Sequence, residues 1–291
     1  MHQLTTPQRE RLHRLVRRSP VFIGMRVEFH DDRVEVIHPE PVTLGFESLS
    51  ALVAGTPADQ WPDVVDGYLE RGYVLATSEP PELDGPTEAV LERTYLRLMS
   101  TEYDEVTFPS YAEELVPGLA RVFAFDLPDA ILTMDDDRVH RHGFERLFDA
   151  GAENLCRELP DRYAENDGVV VLQGSDYVGS LVLVLPWVVE ALTGDTALPH
   201  GALVAMPARD TLALHIVRDR AQVLRALEEM AALAAEWYAA STHGLSPRVY
   251  WCRTEPVGRI ETIAHHDGRG VVTYHSEDFA NTLYEVDREW Q

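Results

Sequence analysis

The sequence predicts an α+β protein whose C-terminal part follows a split β-α-β pattern, βαββαβ, with an antiparallel sheet covered by helices on one face. Three observations predict this class. The valines after Gly168 are typical of a buried strand, and two apolar runs flank the turn Pro207–Asp210 as a strand pair. A helix face is indicated by apolar residues at helical spacing: Val223, Leu227, Met230, Ala234 and Trp237.

Residues 1–78 are predicted to form a smaller, acidic α+β region. Thr5 or Thr6 before a proline is a typical helix N-cap, so Pro7–Arg18 is expected to be helical. The runs Val21–Phe29 and Arg33–Ile37 flank turn-forming residues and predict a hairpin. An amphipathic helix follows, with an apolar side at Trp61, Val64, Val65 and Tyr68 and an acidic side at Asp63, Asp66 and Glu70.

Residues 79–118 are predicted to be an acidic linker followed by a helix. The segment Glu79–Pro86 contains three prolines and a glycine, which are incompatible with regular structure. The segment Glu88–Met99 has a helical pattern.

Residues 119–291 are predicted to form the βαββαβ domain with a C-terminal hairpin. It begins with a hairpin, Leu119–Asp126 and Ala130–Met134, and a long helix from His142 to Tyr163. After the strand Gly168–Leu172, the apolar segment Tyr177–Leu192 leaves two alternatives, because its Pro186 either kinks one helix or starts a helix after a short strand. The remaining predicted strands are Ala202–Met206, Leu212–Val217, Arg248–Cys252, Ile260–Ala264 and Gly270–Tyr274.

Short motifs in this part resemble the bacterial family catalogued as domain of unknown function 1444. They occur in the family's order between about Leu119 and Cys252, at Asn154, Asp176-Tyr177, Ser180, Gly201, Pro207 and Asp210. The resemblance implies a cytosolic α+β protein and favours a helix for Tyr177–Leu192. It implies no reaction, cofactor or catalytic residue, so these residues are expected to be a structural motif.

The charge is strongly negative and one basic residue type is absent. All 25 basic residues are arginines, against 49 acidic residues, which gives a net charge of −24. Without lysine the chain cannot supply a P-loop lysine, a Schiff-base lysine or the strand lysine of protein kinases. An acidic surface also repels a phosphate backbone, so we expect no nucleic-acid partner.

The sequence predicts a soluble cytoplasmic protein. Its first residues are polar and rich in arginine, unlike a secretory signal. The longest apolar run, Leu181–Val189, is far shorter than a membrane span, so no membrane partner is expected. Cys156 and Cys252 lack a CxxC spacing and are expected to be two buried free thiols in a reducing compartment.

The acidic turn Asp135–Asp137 follows an apolar run, as in haloacid-dehalogenase-like phosphotransferases. That resemblance implies Asp135 as nucleophile, Asp137 as acid/base and a Mg²⁺ ion at the pair. The alternative is a turn that caps the next helix, and the lysine of those enzymes is missing. Five histidines could supply metal ligands together with Asp135 or Asp267 only if the fold brings them together, and otherwise they are expected to be surface histidines: His140, His142, His265, His266 and His275.

The functional hypothesis follows from the distribution of charge. Between Glu40 and Asp137 there are 21 acidic residues and four arginines. We therefore expect a non-catalytic protein that binds a basic protein, as an immunity-like or regulatory factor does. The alternative is a metal-dependent hydrolase or phosphotransferase using Asp135 and Asp137. No cofactor is predicted, and the oligomeric state is left open.

Overall fold

The structure, a computed structural model, describes residues 4–78, 80–102, 108–128, 130–194, 197–241, 243–253, 259–274 and 276–289. The chain divides into two compact units, an N-terminal unit Met1–Asp84 and a C-terminal unit Gly85–Gln291. Both contain helices and antiparallel sheets, so the α+β class is confirmed. None of the helices in the described ranges is both long enough and apolar enough to cross a membrane.

The N-terminal unit packs three helices and a three-stranded antiparallel sheet around one core. Its elements are α1 (Thr6–Arg18), β1 (Arg26–Phe29), β2 (Arg33–His38), β3 (Val42–Gly45), α2 (Glu47–Ala54) and α3 (Trp61–Thr77). Thr5 is the N-cap of α1, as the sequence predicts. The predicted strand from Val21 is shorter than expected, because Pro20–Phe22 forms a 3₁₀ turn and Gly24 has φ +80°. The predicted acidic helix is α3, whose buried residues are Trp61, Val65 and Leu69.

The C-terminal unit begins with a four-stranded antiparallel sheet. Its elements are α4 (Thr87–Leu91), β4 (Thr94–Ser100), β5 (Glu113–Val116), β6 (Leu119–Leu127) and β7 (Ala130–Thr133). β4 pairs with one edge of β6, and β5 and β7 pair with successive parts of the other edge. The hairpin predicted around residues 127–129 is confirmed by β6 and β7.

The helix predicted over Glu88–Met99 is wrong in its second half. The helix ends at Leu91, and β4 runs from Thr94 to Ser100. The apolar residues of this stretch fit both helical and strand spacing. Pairing with β6 over seven residues stabilises the strand. Residues 79–118 therefore contribute two strands to the sheet as well as a short helix.

The long helix predicted from His142 to Tyr163 is two shorter helices and a strand. α5 (Asp136–His142) and α6 (Phe144–Leu155) are separated by Gly143, and β8 spans Arg162–Asn166. Gly143 has φ +91°, which a continuous right-handed helix does not allow. Pro160 lies beyond the end of α6 and removes a backbone donor, which keeps the helix from continuing into Tyr163.

A seven-stranded antiparallel sheet forms the rest of the unit. Its elements after β8 are β9 (Val169–Gln173), α7 (Leu185–Thr193), β10 (Ala202–Ala208), β11 (Thr211–Ile216), α8 (Arg220–Ala240), β12 (Arg248–Arg253), β13 (Arg259–His266), β14 (Val271–Thr273) and α9 (Glu277–Glu289). The strand order is β14-β13-β12-β10-β11-β9-β8. Because neighbours are antiparallel, β9 is parallel to β10 with β11 between them, and β11 is parallel to β12 with β10 between them. Both connections are thus split β-α-β units, as predicted.

Both faces of this sheet are covered, so the expectation that helices lie on one face only is wrong. α8 packs on the face that carries Leu203, Ala205 and Ala213. The alternating residues, including Val204 and Leu214, are equally buried. The segment Tyr177–Leu192 resolves into a 3₁₀ helix, Val178–Val184, followed by α7, whose first turn holds Pro186. Proline is favoured there because the first-turn N–H needs no helical partner.

The predicted apolar face of α8 is correct except at its end. Val223, Leu227, Met230 and Ala234 are buried between α8 and the sheet. Trp237 is only half-buried, so the expectation that it lies in the core is wrong. Ala234 is the last α8 residue in the core, and the final turn of the helix continues beyond it.

Candidate functional site

Asp135 caps α5 rather than standing free at a strand end. Its Oδ1 accepts a hydrogen bond of 2.8 Å from the backbone N–H of Arg138, and its Oδ2 lies 2.5 Å from the Arg138 guanidinium. The neighbouring Asp136 accepts hydrogen bonds from the backbone N–H and hydroxyl of Ser110 and from the N–H of Tyr111. Those hydrogen bonds hold the pKa of Asp136 below its usual value.

Asp137 is exposed in the first turn of α5. Carboxylates in this turn are favoured by the helix dipole, which explains the acidic turn without a reaction. In the described ranges, neither Asp135 nor Asp137 belongs to a group of three side chains placed to share a metal ion. The geometry thus supports the capping alternative for the acidic turn.

The candidate histidines lie in separate environments. His140 is exposed, as expected of a surface histidine, but His142 is buried, with its Nδ1 3.1 Å from the hydroxyl of Thr87. His265 stacks on Tyr274, and His266 Nδ1 accepts a hydrogen bond from the N–H of Gly268 in the last hairpin turn. His275 lies outside the described residues.

One possible metal-ligating group was not predicted from the sequence. Glu28, His30 and Glu35 place a ligand atom each within 4.8 Å of one another on the first hairpin of the N-terminal unit. Glu28 pairs directly with Glu35 across the β1–β2 register. The signal was the pattern Glu-x-His before a turn with a glutamate after it. Arg33 Nε donates to Glu35 at 2.7 Å, however, and lowers the pKa of that carboxyl, so the group already holds a cation.

Two residues of the sequence motif meet a buried arginine in the C-terminal unit. The Arg97 side chain on β4 is 5% exposed, and its guanidinium is 3.5 Å from Asp176. The Arg97 guanidinium also lies over the Tyr177 ring, 5.8 Å from its centroid. Burial, followed by the positive charge of Arg209, lowers the pKa of Arg97 to about 10. Arg97 therefore remains a cation at neutral pH.

Tyr177 and Ser180 connect the 3₁₀ segment to the four-stranded sheet. The Tyr177 hydroxyl donates to Asp126 at 3.0 Å, and its ring stacks on Tyr95 with centroids 4.3 Å apart. Burial, and then the Asp126 charge, raise the pKa of Tyr177. Ser180 is buried, and its hydroxyl oxygen accepts a hydrogen bond from the N–H of Leu98 in β4 at 2.9 Å. These contacts attach the 3₁₀ segment to the four-stranded sheet, which supports a structural role.

The remaining motif residues also hold backbone in place. Asn154 donates from its amide to the carbonyls of Leu91 and Thr94, where α4 leads into β4. Gly201 has φ +76°, and a Cβ there would lie 2.3 Å from a carbonyl oxygen of β12. The carbonyls of Pro207 and Asp210 accept from Leu245 and Gly174. The motif residues thus hold the backbone at β4 as well as around β10 and β11.

Acidic residues line the outer side of α3, and we call Asp63, Asp66 and Glu70 the acidic stripe. They are spaced three and four residues apart, opposite the buried side of the helix. Asp63 and Glu70 are exposed, and Asp66 is half-buried. None of the three is in an ion pair with another residue of the described ranges.

Comparison with known proteins found no counterpart for this chain. No protein-family model, no curated protein and no solved structure matches it.

Proposed function

We propose that the protein is a non-catalytic, cytoplasmic factor that binds a basic protein through its acidic surface, in the manner of an immunity-like or regulatory protein. The observation that carries the proposal is the charge balance. The chain has 25 arginines and 49 acidic side chains, and each arginine can neutralise one carboxylate. Even complete internal pairing leaves a surplus of 24 negative charges on the molecule.

Eight arginines of the C-terminal unit form ion pairs within the described ranges. In exposed ion pairs these arginines neutralise carboxylates of the same unit, as Arg146 does with Glu88, Arg157 with Glu153 and Arg220 with Asp287. The acidic stripe of the N-terminal unit has no such partner within the described chain, so its charges are available to a ligand. A row of like charges on one helix face attracts a complementary basic surface and raises its association rate.

Two further points support the proposed cytoplasmic location. Cys156 and Cys252 are free thiols, as expected in a reducing compartment, but only Cys252 is buried and the expected burial of Cys156 is wrong. Burial raises the pKa of the Cys252 thiol, which keeps it unreactive. The resemblance to the domain of unknown function 1444 remains a prediction that agrees with a cytoplasmic α+β protein.

The proposal is tested with two variants of equal charge. The first, Asp63→Asn/Asp66→Asn/Glu70→Gln, neutralises the acidic stripe. The second, Glu228→Gln/Glu236→Gln/Glu285→Gln, removes the same charge from exposed positions on α8 and α9. The wild-type protein and both variants serve as bait in lysate of the native host, and recovered basic proteins are identified and quantified.

We expect the wild type and the α8/α9 variant to recover the same basic protein, and the stripe variant to lose it. The association rate with the purified partner should fall steeply with salt, because long-range attraction is screened beyond the Debye length of about 10 Å at 0.1 M. Equal recovery by both variants would show that the stripe is not the binding surface. Recovery of no basic protein by the wild type would refute the proposal.

A further inference from the structure

The outer side of α1 is strongly basic, although the protein as a whole is acidic. The helix contains five arginines and one acidic residue, whereas the whole chain has a net charge of −24. Three of these arginines, which we call the basic row, lie three and four residues apart on the side of α1 that faces away from its buried residues: Arg11, Arg14 and Arg18. Arg14 and Arg18 are exposed and make no ion pair or hydrogen bond within the described ranges. Their charges are therefore available to an acidic surface.

The basic row lies beside the acidic stripe. α1 and α3 pack against each other, and Leu12 of α1 and Val65 of α3 belong to the same core. Both charged rows lie on the sides of their helices that face away from this core. Arg11 reaches across to the start of α3, where its guanidinium lies over the Trp61 ring, 5.2 Å from the centroid. The N-terminal unit therefore displays opposite charges on two neighbouring helices.

The two rows have the same spacing and opposite sign. The basic row occupies positions i, i+3 and i+7 of α1, and Asp63, Asp66 and Glu70 occupy the same positions of α3. With a rise of about 1.5 Å per residue, successive members of either row are about 4.5 Å and 6 Å apart along the helix axis. All three arginines of one row can therefore meet the three carboxylates of the other row at once. Neighbouring rows of opposite sign make the surface complementary to a second copy of itself, rotated about a two-fold axis.

We propose that two copies of the chain associate through this surface, with the basic row of each copy against the acidic stripe of the other. Val74, which is 51% exposed one turn beyond Glu70, adds apolar area to the contact. Exposed ion pairs contribute little each, so the dimer is weak and reversible. At physiological ionic strength the Debye length of about 8 Å screens the net repulsion between the copies, whereas paired atoms lie within about 4 Å. This inference goes beyond the proposed function and needs no basic partner, although a second copy and such a partner would compete for the same stripe.

Self-association is tested by sedimentation equilibrium of the purified full-length protein in about 150 mM NaCl, at about 1–100 μM chain. We expect a reversible monomer–dimer equilibrium, and a protein that stays monomeric over this range would overturn the proposal. Two charge-reversed variants at exposed positions test the surface: Arg14→Glu/Arg18→Glu in the basic row and Asp63→Arg/Glu70→Arg in the acidic stripe. Each variant alone carries two rows of one sign, so its dimerisation should weaken at least about tenfold.

An equimolar mixture of the two variants gives the sharpest test. In the mixed dimer, the reversed α1 of one copy meets the reversed α3 of the other, and the second contact keeps its original charges. Both contacts then join opposite signs, so the mixture should dimerise about as tightly as the wild type. Mixing does not repair a misfolded chain, so recovery shows that both variants are folded. A mixture of folded variants that associates no better than its components would refute the assignment.

Two control variants make the same changes of net charge at exposed positions of the C-terminal unit: Arg218→Glu/Arg225→Glu and Glu228→Arg/Glu285→Arg. Both should dimerise like the wild type. Controls weakened as much as the row variants would show that net charge governs association, and the proposal would fail. If a charge-reversed variant does not fold, the neutral stripe variant used for the partner test replaces it and should also weaken dimerisation.

The basic-row variant separates this inference from the proposed function. It retains the acidic stripe, so it should still recover a basic protein from lysate while its own dimerisation is lost. Absence of a dimer with a partner recovered would refute only the self-association. A dimer without any recovered partner would refute only the proposed function.

Discussion

At the scale of single residues, Asp135 shows that a short acidic motif does not define a reaction. The run Asp135–Asp137 has the residue types of a phosphotransferase nucleophile and its acid/base partner. Reaction chemistry would need a carboxylate free to meet phosphate and metal. The Asp135 carboxylate instead bonds the backbone and side chain of Arg138, which is buried.

We predict that Asp135→Ala destabilises the protein by about 1–3 kcal/mol. The change removes a helix N-cap and leaves the buried Arg138 cation without this carboxylate. Asp137→Ala, at an exposed position, should cost less than about 0.5 kcal/mol. Urea unfolding of both variants measures the difference. Equal stabilities, or a thermal shift of the wild type in Mg²⁺ that Asp135→Ala abolishes, would favour the metal-dependent alternative.

His215 also predicts a dependence of stability on pH. Burial lowers its folded pKa below the unfolded value of about 6.5. Above that value the ring is neutral in both states, so it has no effect on stability. As the pH falls below about 6.5, the unfolded chain takes up a proton that the folded ring resists, and stability is lost.

His215→Asn should remove this contribution while keeping a donor for the Gly168 carbonyl oxygen, which lies 2.8 Å from His215 Nδ1. We expect the slope of the unfolding free energy against pH, between about pH 5 and 6.5, to decrease by up to about 1.4 kcal/mol per pH unit. Urea unfolding across this range measures the slope. His243, whose pKa is also lowered by burial, retains its own contribution in the variant. An unchanged slope would mean that His215 is not protected from protonation in the folded state.

At the scale of elements, the predictions succeeded where the spacing of apolar residues fits only a helix or only a strand. α8 keeps helical spacing over many residues, and the valines of β9 form a strand bounded by turn residues. The prediction of β4 as a helix failed because its partner β6 is distant in sequence, and the residues of β4 alone do not indicate this pairing. The break between α5 and α6 depends on the positive φ of Gly143, which composition alone does not reveal.

The core face of α8 gives a sharp stability test. Met230 is fully buried against the sheet, so Met230→Ala should cost about 2–5 kcal/mol. Trp237 is half-buried, and Trp237→Ala should cost less than Met230→Ala. Glu228→Ala, on the exposed side, should change stability by less than about 0.5 kcal/mol. Urea midpoints of the three variants establish the order. A tryptophan variant less stable than the methionine variant would contradict the observed register of the helix.

At the scale of the whole molecule, the candidate sites were the least predictable feature. The acidic stripe was visible in the sequence because its residues lie on one helix. Its position beside the basic row was not, because that depends on how α1 and α3 pack on their shared core. The group at Glu28, His30 and Glu35 depends in the same way on the register of a hairpin. Convergence of distant residues is set by packing, which no spacing along the chain encodes.

The net charge leads to a prediction for the entire protein. Its surplus of negative charge repels itself in the compact state, whereas exposed ion pairs contribute only about 0–1 kcal/mol each. Raising NaCl from about 20 mM to about 300 mM shortens the Debye length from about 20 Å to about 6 Å, which screens the repulsion. We expect the thermal midpoint to rise, because the surplus of 24 charges outweighs the weakened ion pairs.

The stripe variant supplies the control for this last prediction. With three fewer negative charges it should be less sensitive to salt, so its midpoint should rise by less than that of the wild type over the same NaCl range. Sodium chloride is the appropriate salt, since sulfate would strengthen apolar burial and raise the midpoint by another route. A midpoint that falls with salt would show that the ion pairs outweigh the self-repulsion. The surplus of 24 negative charges would then be spread too widely to create a strong local field, and the attraction proposed for a basic partner would lose its physical basis.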